Sequence, residues 1–371
     1  MFNPVLENPA LEFLINDQVK SPNRFQPMID EADEMYLVAL ENQAFPERAY
    51  VRYYFNGRRI FDALKQVVDW YFQGFENIEK FFDFASGYGR LTRFLTQEIP
   101  PEKIWVADIL APAIRFQTEQ FQVNGIVSQS DPSQPLTSHQ FDCILTCSFF
   151  SHMPEETFIG WMKTLYECLS PQGILLFSVH DRELLPEHLK IQSAEILFAP
   201  ASESRSLPGQ EYGTTYVGEA FVRQVVQTVS QGKAECYRIS RAICRYQDLY
   251  LVTSDPKRDL SSLRFSHHPQ GQLEKFCLTP TGELHLQGWV SEINSGGQIE
   301  LISVLRNGEI THQFCPAFSA SNSRQSWSFQ LPAGAISAQD DLLIKTVNRQ
   351  GLEWVFDAAS VEVLHSRLCN V

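Results

Sequence analysis

The pattern of apolar and polar positions along this chain changes character near Asp255. Before that point, short apolar runs alternate with stripes of helical spacing. Residues 57–72 place Ile60, Leu64, Val67, Val68 and Tyr71 on one face, which predicts an amphipathic helix, and residues 30–43 read as another that starts on acidic residues. Runs at 78–84, 103–108, 126–129, 141–147 and 174–179 read as buried strands. Helical stripes lie between them: Leu91, Phe94 and Leu95 up to the stop at Pro100-Pro101, then 113–122, then 155–169 with Phe158, Met162, Leu165 and Leu169 inward. Strands that alternate with helices predict an α/β fold with a mostly parallel sheet. A helix at 219–230 and strands at 236–240 and 246–253, paired antiparallel, close that part of the chain.

Residues 182–217 lack periodicity and contain Pro186, Pro200, Pro208 and Gly209, the composition of a lid over a site. Beyond Asp255, residues 257–272 read as a polar linker carrying His267-His268-Pro269. From there helical stripes vanish. Short alternating runs at 284–290, 299–306, 326–331 and 342–348, with a hairpin turn at Asn307-Gly308, predict a β-sandwich over 273–371. The expected organisation is an N-terminal helical cap at 1–77, an α/β domain at 78–256, the linker, and the sandwich.

The stretch between the first strand and its helix carries the chemistry. Residues 81–95 read Phe-Phe-Asp-Phe-Ala-Ser-Gly-Tyr-Gly-Arg-Leu-Thr-Arg-Phe-Leu, a strand, a turn with Gly87 and Gly89, and a helix start. Glycine permits close backbone approach, and a helix N-terminus offers unpaired N–H groups and a partial positive charge. Such a turn cradles an anionic or strongly polar ligand. A dinucleotide turn needs a third glycine where Thr92 stands; a methyltransferase turn, which holds no pyrophosphate, does not. The second strand ends in Asp108, a carboxylate placed to accept ribose hydroxyls in either case.

The block at 141–155, Phe-Asp-Cys-Ile-Leu-Thr-Cys-Ser-Phe-Phe-Ser-His-Met-Pro-Glu, decides between them. With Asp83–Arg93, Asp108 and Pro171-Gln172-Gly173 in the same order and spacing, the chain resembles the class I S-adenosylmethionine-dependent methyltransferases. The similarity is to the subgroup with DFGCGxGRxxR at the first motif and FDxIxxxSxFxHLPE at the fourth strand. Ala85 replaces the first glycine of that motif and Ser86 its cysteine; alanine is the smallest change available and reads as a tolerated one, with a degenerate, non-catalytic copy as the alternative.

The resemblance implies a Rossmann-like seven-stranded methyltransferase sheet. It also implies S-adenosylmethionine as cofactor with S-adenosylhomocysteine as product, and a cofactor site made of Asp83, Ala85, Ser86, Gly87, Gly89, Asp108, Ile109, Asp131, Ser148 and Phe149. Asp131 would reach the adenine amino group, and Ser148 with Phe149 the methionine end. Tyr53-Tyr54-Phe55-Asn56-Gly57-Arg58 resembles a segment that covers the cofactor, so Tyr54 and Arg58 join the set, Arg58 toward the methionine carboxylate. Candidate bases are His152, His180 and Asp181, at the tips of the fourth and fifth strands. Tyr212 in Tyr-Gly-Thr-Thr is placed near the acceptor. Each has a bland reading as well: a capping loop, a polar strand end, a turn before proline.

The acceptor implied is a hydroxyl on a sugar, a glycan-linked group or a small molecule; small-molecule N-methylation and a non-catalytic scaffold stay as alternatives. The formal net charge of -14 disfavours nucleic acid, whose phosphates call for basic patches. No apolar stretch reaches membrane-span length, and Met-Phe-Asn-Pro-Val-Leu-Glu is no secretory leader, so the expected location is cytoplasmic, with a homodimer as a possible assembly. The 8 cysteines form no Cys-x-x-Cys pair, so free thiols and no metal site are expected.

Overall fold

A computed structural model describes residues 1–43, 45–190, 195–201, 204, 206–255, 257–292, 299–316 and 324–369. The chain forms two units: residues Ala32–Val38 with Arg59–Phe265, and residues Met1–Glu31, Ala39–Arg58 and Ser266–Val371.

The first of these is built on one sheet. Strands β1 (Phe81–Phe84), β2 (Ile104–Asp108), β3 (Asn124–Val127), β4 (Phe141–Thr146) and β5 (Leu169–Asp181) lie in the order β3-β2-β1-β4-β5, all parallel. At the tip of β5, β7 (Thr214–Val217) runs parallel to His180 and Asp181, with β6 (Ile196–Ala199) antiparallel to β7. Along the body of β5, β9 (Gln247–Thr253) pairs antiparallel and carries β8 (Glu235–Ile243) outside it. This is the expected α/β arrangement, with β6 and β9 reversed relative to the parallel strands. Strands such as Phe-Phe-Asp-Phe and Gln-Asp-Leu-Tyr-Leu-Val-Thr are buried at every position, as a sheet covered on both faces requires.

Aromatic rings fill the space beneath the helices. Phe82 stacks on Phe141 at 4.3 Å, and Phe84 meets the edge of Phe149 at 5.0 Å. Phe150 contacts both Phe158 and Phe177. The strand order reverses between β1 and β4, which opens a crevice beyond their carboxyl ends. At the sheet's far side Arg238 on β8 pairs with Asp248, Glu219 and Asp181 at 2.6, 3.1 and 2.8 Å.

The second unit contains two antiparallel sheets. One is β10 (Gln270–Leu278), β11 (Leu284–Ser291) and β14 (Arg324–Leu331); the other follows the order β13 (Glu309–Phe314), β12 (Ile299–Arg306), β15 (Asp341–Asn348), β16 (Glu353–Ser360). Rings from the two sheets interdigitate: Trp327 with Phe356 at 5.3 Å, and Phe329 with Phe314 at 5.1 Å. That is sandwich packing. The N-terminal stretch is divided between the units. Asn8 donates to the Ala358 carbonyl at 3.0 Å, Lys345 bridges Asp17 and Glu353, and Phe55 meets the edge of Trp354 at 5.4 Å, all within the sandwich unit.

Several elements exceed what periodicity predicts. The helix predicted at 57–72 starts at Pro46, because Ala49, Tyr50, Tyr53 and Tyr54 are also buried. Strand β10 begins inside the polar linker; Gly271, Leu273 and Phe276 face inward at irregular spacing around a bulge, which masks the alternation. Strands β13 and β16 and the final helix Val361–Leu368 were not visible as runs. Among the described residues no helix is long and apolar enough to cross a membrane.

Candidate active site

The turn after β1 is held by hydrogen bonds from three directions. The Ser86 N–H donates to the Ala107 carbonyl at 3.0 Å, the Gly87 N–H donates to Asp108 Oδ2 at 2.8 Å, and the Leu110 N–H donates to Asp108 Oδ1 at 2.9 Å. One carboxylate thus fastens the glycine turn to the tip of β2, with Ile109 between its two anchors. Burial raises the Asp108 carboxyl above its ordinary range, Glu34's charge adds to that, and the two N–H donors pull it back.

Beneath the turn lies a buried polar relay. Thr92 Oγ1 donates to Gln117 Oε1 at 2.7 Å, and Gln117 Nε2 donates to Ser86 Oγ and to the Gly87 carbonyl, both at 2.7 Å. Asp83 Oδ2 lies 3.4 Å from Thr92 Oγ1. The single Thr92 hydrogen is placed to donate either to Gln117 Oε1 or to Asp83 Oδ2. Burial pushes the Asp83 carboxyl up to about 7, with the Asp108 charge acting in the same direction. The Thr92 hydroxyl opposes that rise by donating to the carboxyl.

Backbone shape distinguishes the two glycines and the alanine. Gly87 and Gly89 have φ of 54° and 76°. A Cβ on Gly89 would strike Phe121 at 2.5 Å and Gln117 at 2.9 Å, whereas one on Gly87 would meet nothing within 4 Å. Gly89 is therefore required by packing, and Gly87 fronts open space where a ligand can approach the backbone. Ala85 also sits in the left-handed region, at φ 60°, where its side chain carries strain that glycine would not.

At the tip of β4, Ser148 likewise has a left-handed φ of 59°. Its N–H donates to Ser178 Oγ at 2.7 Å, and both serine hydroxyls donate to Gln247 Oε1, at 3.1 and 2.6 Å. The amide of Gln247 then lies 3.1 Å from His180 Nε2. An amide nitrogen only donates, so His180 Nε2 is the acceptor and its hydrogen sits on Nδ1. Burial and the nearby His152 lower the His180 pKa to about 4, so this ring stays neutral near pH 7. His152 lies 6.0 Å from it, ring to ring, and stacks on Tyr212 at 4.7 Å. His152 Nδ1 is 2.8 Å from the Gly213 carbonyl.

The remaining candidates fall elsewhere. Asp131 is on an exposed turn, where Ser133 N–H and Gln134 donate to it and hold its carboxyl below the usual range. Asp181 accepts from the Glu183 N–H and pairs with Arg238. In the other unit the Tyr54 hydroxyl donates to the Pro27 carbonyl and Arg58 to the Gln18 carbonyl. The sequence reading missed Thr92, Gln117, Ser178 and Gln247. Gln117 carried a signal: it is a polar residue on the inward face of a helix that also buries Ala113, Ile114, Phe116 and Phe121.

Residues 82–175 match a family model described as "Methyltransferase domain". This stretch is similar to a methyltransferase domain. The matched segment runs from β1 into β5, past Pro171-Gln172-Gly173, which the structure places within that strand rather than in a turn, and contains the whole polar relay. Solved structures similar to the chain include DesVI of Streptomyces venezuelae, at 12% identity and a TM-score of 0.42, covering 61% of this chain and 99% of that one. Another is the magnesium protoporphyrin IX methyltransferase ChlM of Synechocystis PCC 6803 with bound SAH, at 12% identity and a TM-score of 0.39, covering 58% and 92%. A third is the plantazolicin methyltransferase BamL in complex with a triazolic desmethylPZN analog and SAH, at 15% identity and a TM-score of 0.40, covering 61% and 97%. No curated protein matches the chain.

Two outcomes follow for the methyltransferase domain. The folded state holds a proton on Asp83 up to about pH 7 that the unfolded chain releases near pH 4. Stability therefore falls as pH rises across that window. Asp83→Asn, neutral at every pH, should flatten that fall; urea titrations from pH 5 to 8 would show a retained slope if Asp83 were ionised throughout. Ala85→Gly should stabilise the domain by up to about 1 kcal/mol through relief of the left-handed alanine, read as a higher urea midpoint, and a lower one would show that the Ala85 methyl contributes more by packing than it costs in strain.

Proposed function

We propose that the methyltransferase domain methylates a hydroxyl on a small-molecule or carbohydrate acceptor, with His152 as general base. The observation that carries this is the contact between His152 Nδ1 and the Gly213 carbonyl. A carbonyl only accepts, so Nδ1 holds the hydrogen and the lone pair of the neutral ring lies on Nε2. His152 is thereby set in the tautomer of a base, and the Tyr212 ring fixes its plane. His180 is arranged the other way, with Nε2 already accepting from Gln247. We assign His180 to orienting Gln247 and Ser148, and Asp181 to the Arg238 cluster at the end of β5.

The residues of the turn fit the cofactor. The open space in front of Gly87 admits a close approach, and Ala85, Ser86 and Gly89 shape the turn on either side. Each oxygen of the Asp108 carboxylate accepts one backbone N–H and keeps capacity for a ribose hydroxyl. Ile109 and Asp131 follow toward the adenine, and Ser148 with Phe149 toward the methionine end. Tyr54 and Arg58, engaged with the Pro27 and Gln18 carbonyls, take no part in this proposal. S-adenosylmethionine supplies a methyl group that is electrophilic without further activation. The protein's task is then to align the acceptor oxygen, exclude water and take its proton at His152 Nε2. The resemblance of the sequence to its subgroup supports a sugar or glycan-linked acceptor.

Calorimetric titration with S-adenosylhomocysteine should show binding by the native chain and its loss in Asp108→Ala. Absence of binding by the native chain would overturn the enzymatic reading and leave a non-catalytic scaffold, the outcome that the strained Ala85 favours. With a hydroxyl acceptor in hand, His152→Gln should lower kcat by roughly 10²–10⁴ while S-adenosylhomocysteine affinity stays unchanged. Equal turnover by the variant would remove His152 as the base.

A further inference from the structure

The sandwich unit brings together two cysteines and a histidine that methyl transfer does not use. Cys277 lies near the end of β10 and Cys369 caps the helix Val361–Leu368, and their sulfurs are 2.6 Å apart. His365 stands one helical turn before Cys369, and its Nδ1 accepts the Leu278 N–H at 3.0 Å, next in sequence to Cys277. Ligand atoms of all three residues lie within 4.8 Å of one another.

Two chemistries use such a cluster, a metal site and a disulfide, and the geometry separates them. Two thiolates on one tetrahedral zinc, at Zn–S distances of about 2.3 Å, stand roughly 3.8 Å apart. These sulfurs would have to separate to bind a metal and need only a small approach to bond. His365 points the same way. Its Nδ1 lone pair is taken by the Leu278 N–H, so the neutral ring carries its hydrogen on Nε2 and offers no nitrogen to a metal. The imidazole instead anchors the backbone beside Cys277 against the helix. Both cysteines are half-buried, within reach of a small reagent. In the methyltransferase domain, burial pushes the Cys147 and Cys168 thiols up to about 11 and that of Cys236 up to about 12, which suppresses their thiolates.

We propose that Cys277 and Cys369 are an oxidisable pair that closes to a disulfide by exchange with a low-molecular-weight disulfide, tying the C-terminal helix to β10. The two sulfurs share one hydrogen, and either can open the exchange; the steps run equally from Cys277 or Cys369, and from Cys277 they are as follows. Its thiolate attacks one sulfur of the external disulfide, forming a mixed disulfide and expelling one external thiolate. Cys369 then loses its proton to solvent and attacks the Cys277 sulfur, expelling the second external thiolate. The protein gives up two protons and two electrons, and one external disulfide becomes two thiols. The bond closes a loop between positions 92 apart, so it restricts the unfolded chain strongly.

Oxidised glutathione is the probe. The full chain is treated with it, alkylated in denaturant, digested and analysed by mass spectrometry without reductant. The expected result is one peptide pair joining Cys277 to Cys369, short of two hydrogens and free of glutathione, and separable by dithiothreitol. The oxidised chain should also melt several degrees above the reduced one, a comparison that needs no variant. Cys277→Ser and Cys369→Ser should each abolish the linked pair and the dithiothreitol-sensitive part of the melting shift. Three results would overturn the proposal: both cysteines alkylated after oxidation, separate glutathione adducts on each, or one equivalent of zinc that protects both thiols from alkylation.

Discussion

The Asp108 carboxylate is the constraint on which the site depends. One oxygen receives the Gly87 N–H and the other the Leu110 N–H, so a loop from β1 and the start of the helix after β2 are fixed to one buried acid. Neither segment could hold its shape alone. The turn has left-handed residues at positions 85, 87 and 89, and the helix start leaves backbone donors without partners inside the helix. A charged acceptor answers both needs, because hydrogen bonds to an ionised group are stronger than neutral ones. In the proposed function the same oxygens also receive the ribose hydroxyls, so architecture and recognition would meet at this residue.

The relay from Asp83 to Gln117 explains why the turn dispenses with a third glycine. In a dinucleotide turn that glycine lets the helix pack against the strand. Here Thr92 fills the position, and its hydroxyl links the acid on β1 to the Gln117 amide, which in turn holds Ser86 and Gly87 from below. Close packing has been exchanged for a polar support. A sequence that reads as an incomplete glycine motif is thus a complete turn of another kind.

The glycines, Asp108, the block from Phe141 and the alternation of strands with helices were legible because each is local: a strand with a turn at its end, or a run with a fixed period. The relay was not, since Thr92, Gln117, Ser178 and Gln247 come from separate elements and acquire meaning only when the sheet aligns them. The strands of the sandwich were legible where Leu284, Leu286, Gly288 and Val290 alternate without interruption. They were hidden where a bulge breaks the period, as between Leu273 and Lys275 on β10. Cys277 and Cys369 illustrate the limit well. No spacing rule pairs residues 92 apart, and only the return of the last helix to β10 does so.

Three candidate bases stood at the strand tips, and proximity does not choose among them. Their hydrogen-bond partners do. Asp181 faces a guanidinium that also serves Glu219 and Asp248, so its charge is committed to holding β5 against β8. His180 accepts from an amide, and its burial disfavours the protonated state that a base must reach during turnover. His152 donates to a carbonyl at 2.8 Å, an arrangement that survives protonation of the opposite nitrogen, because a carbonyl accepts equally from imidazole and imidazolium. That compatibility between the His152–Gly213 contact and a proton on the opposite nitrogen is why the proposal places the base at His152.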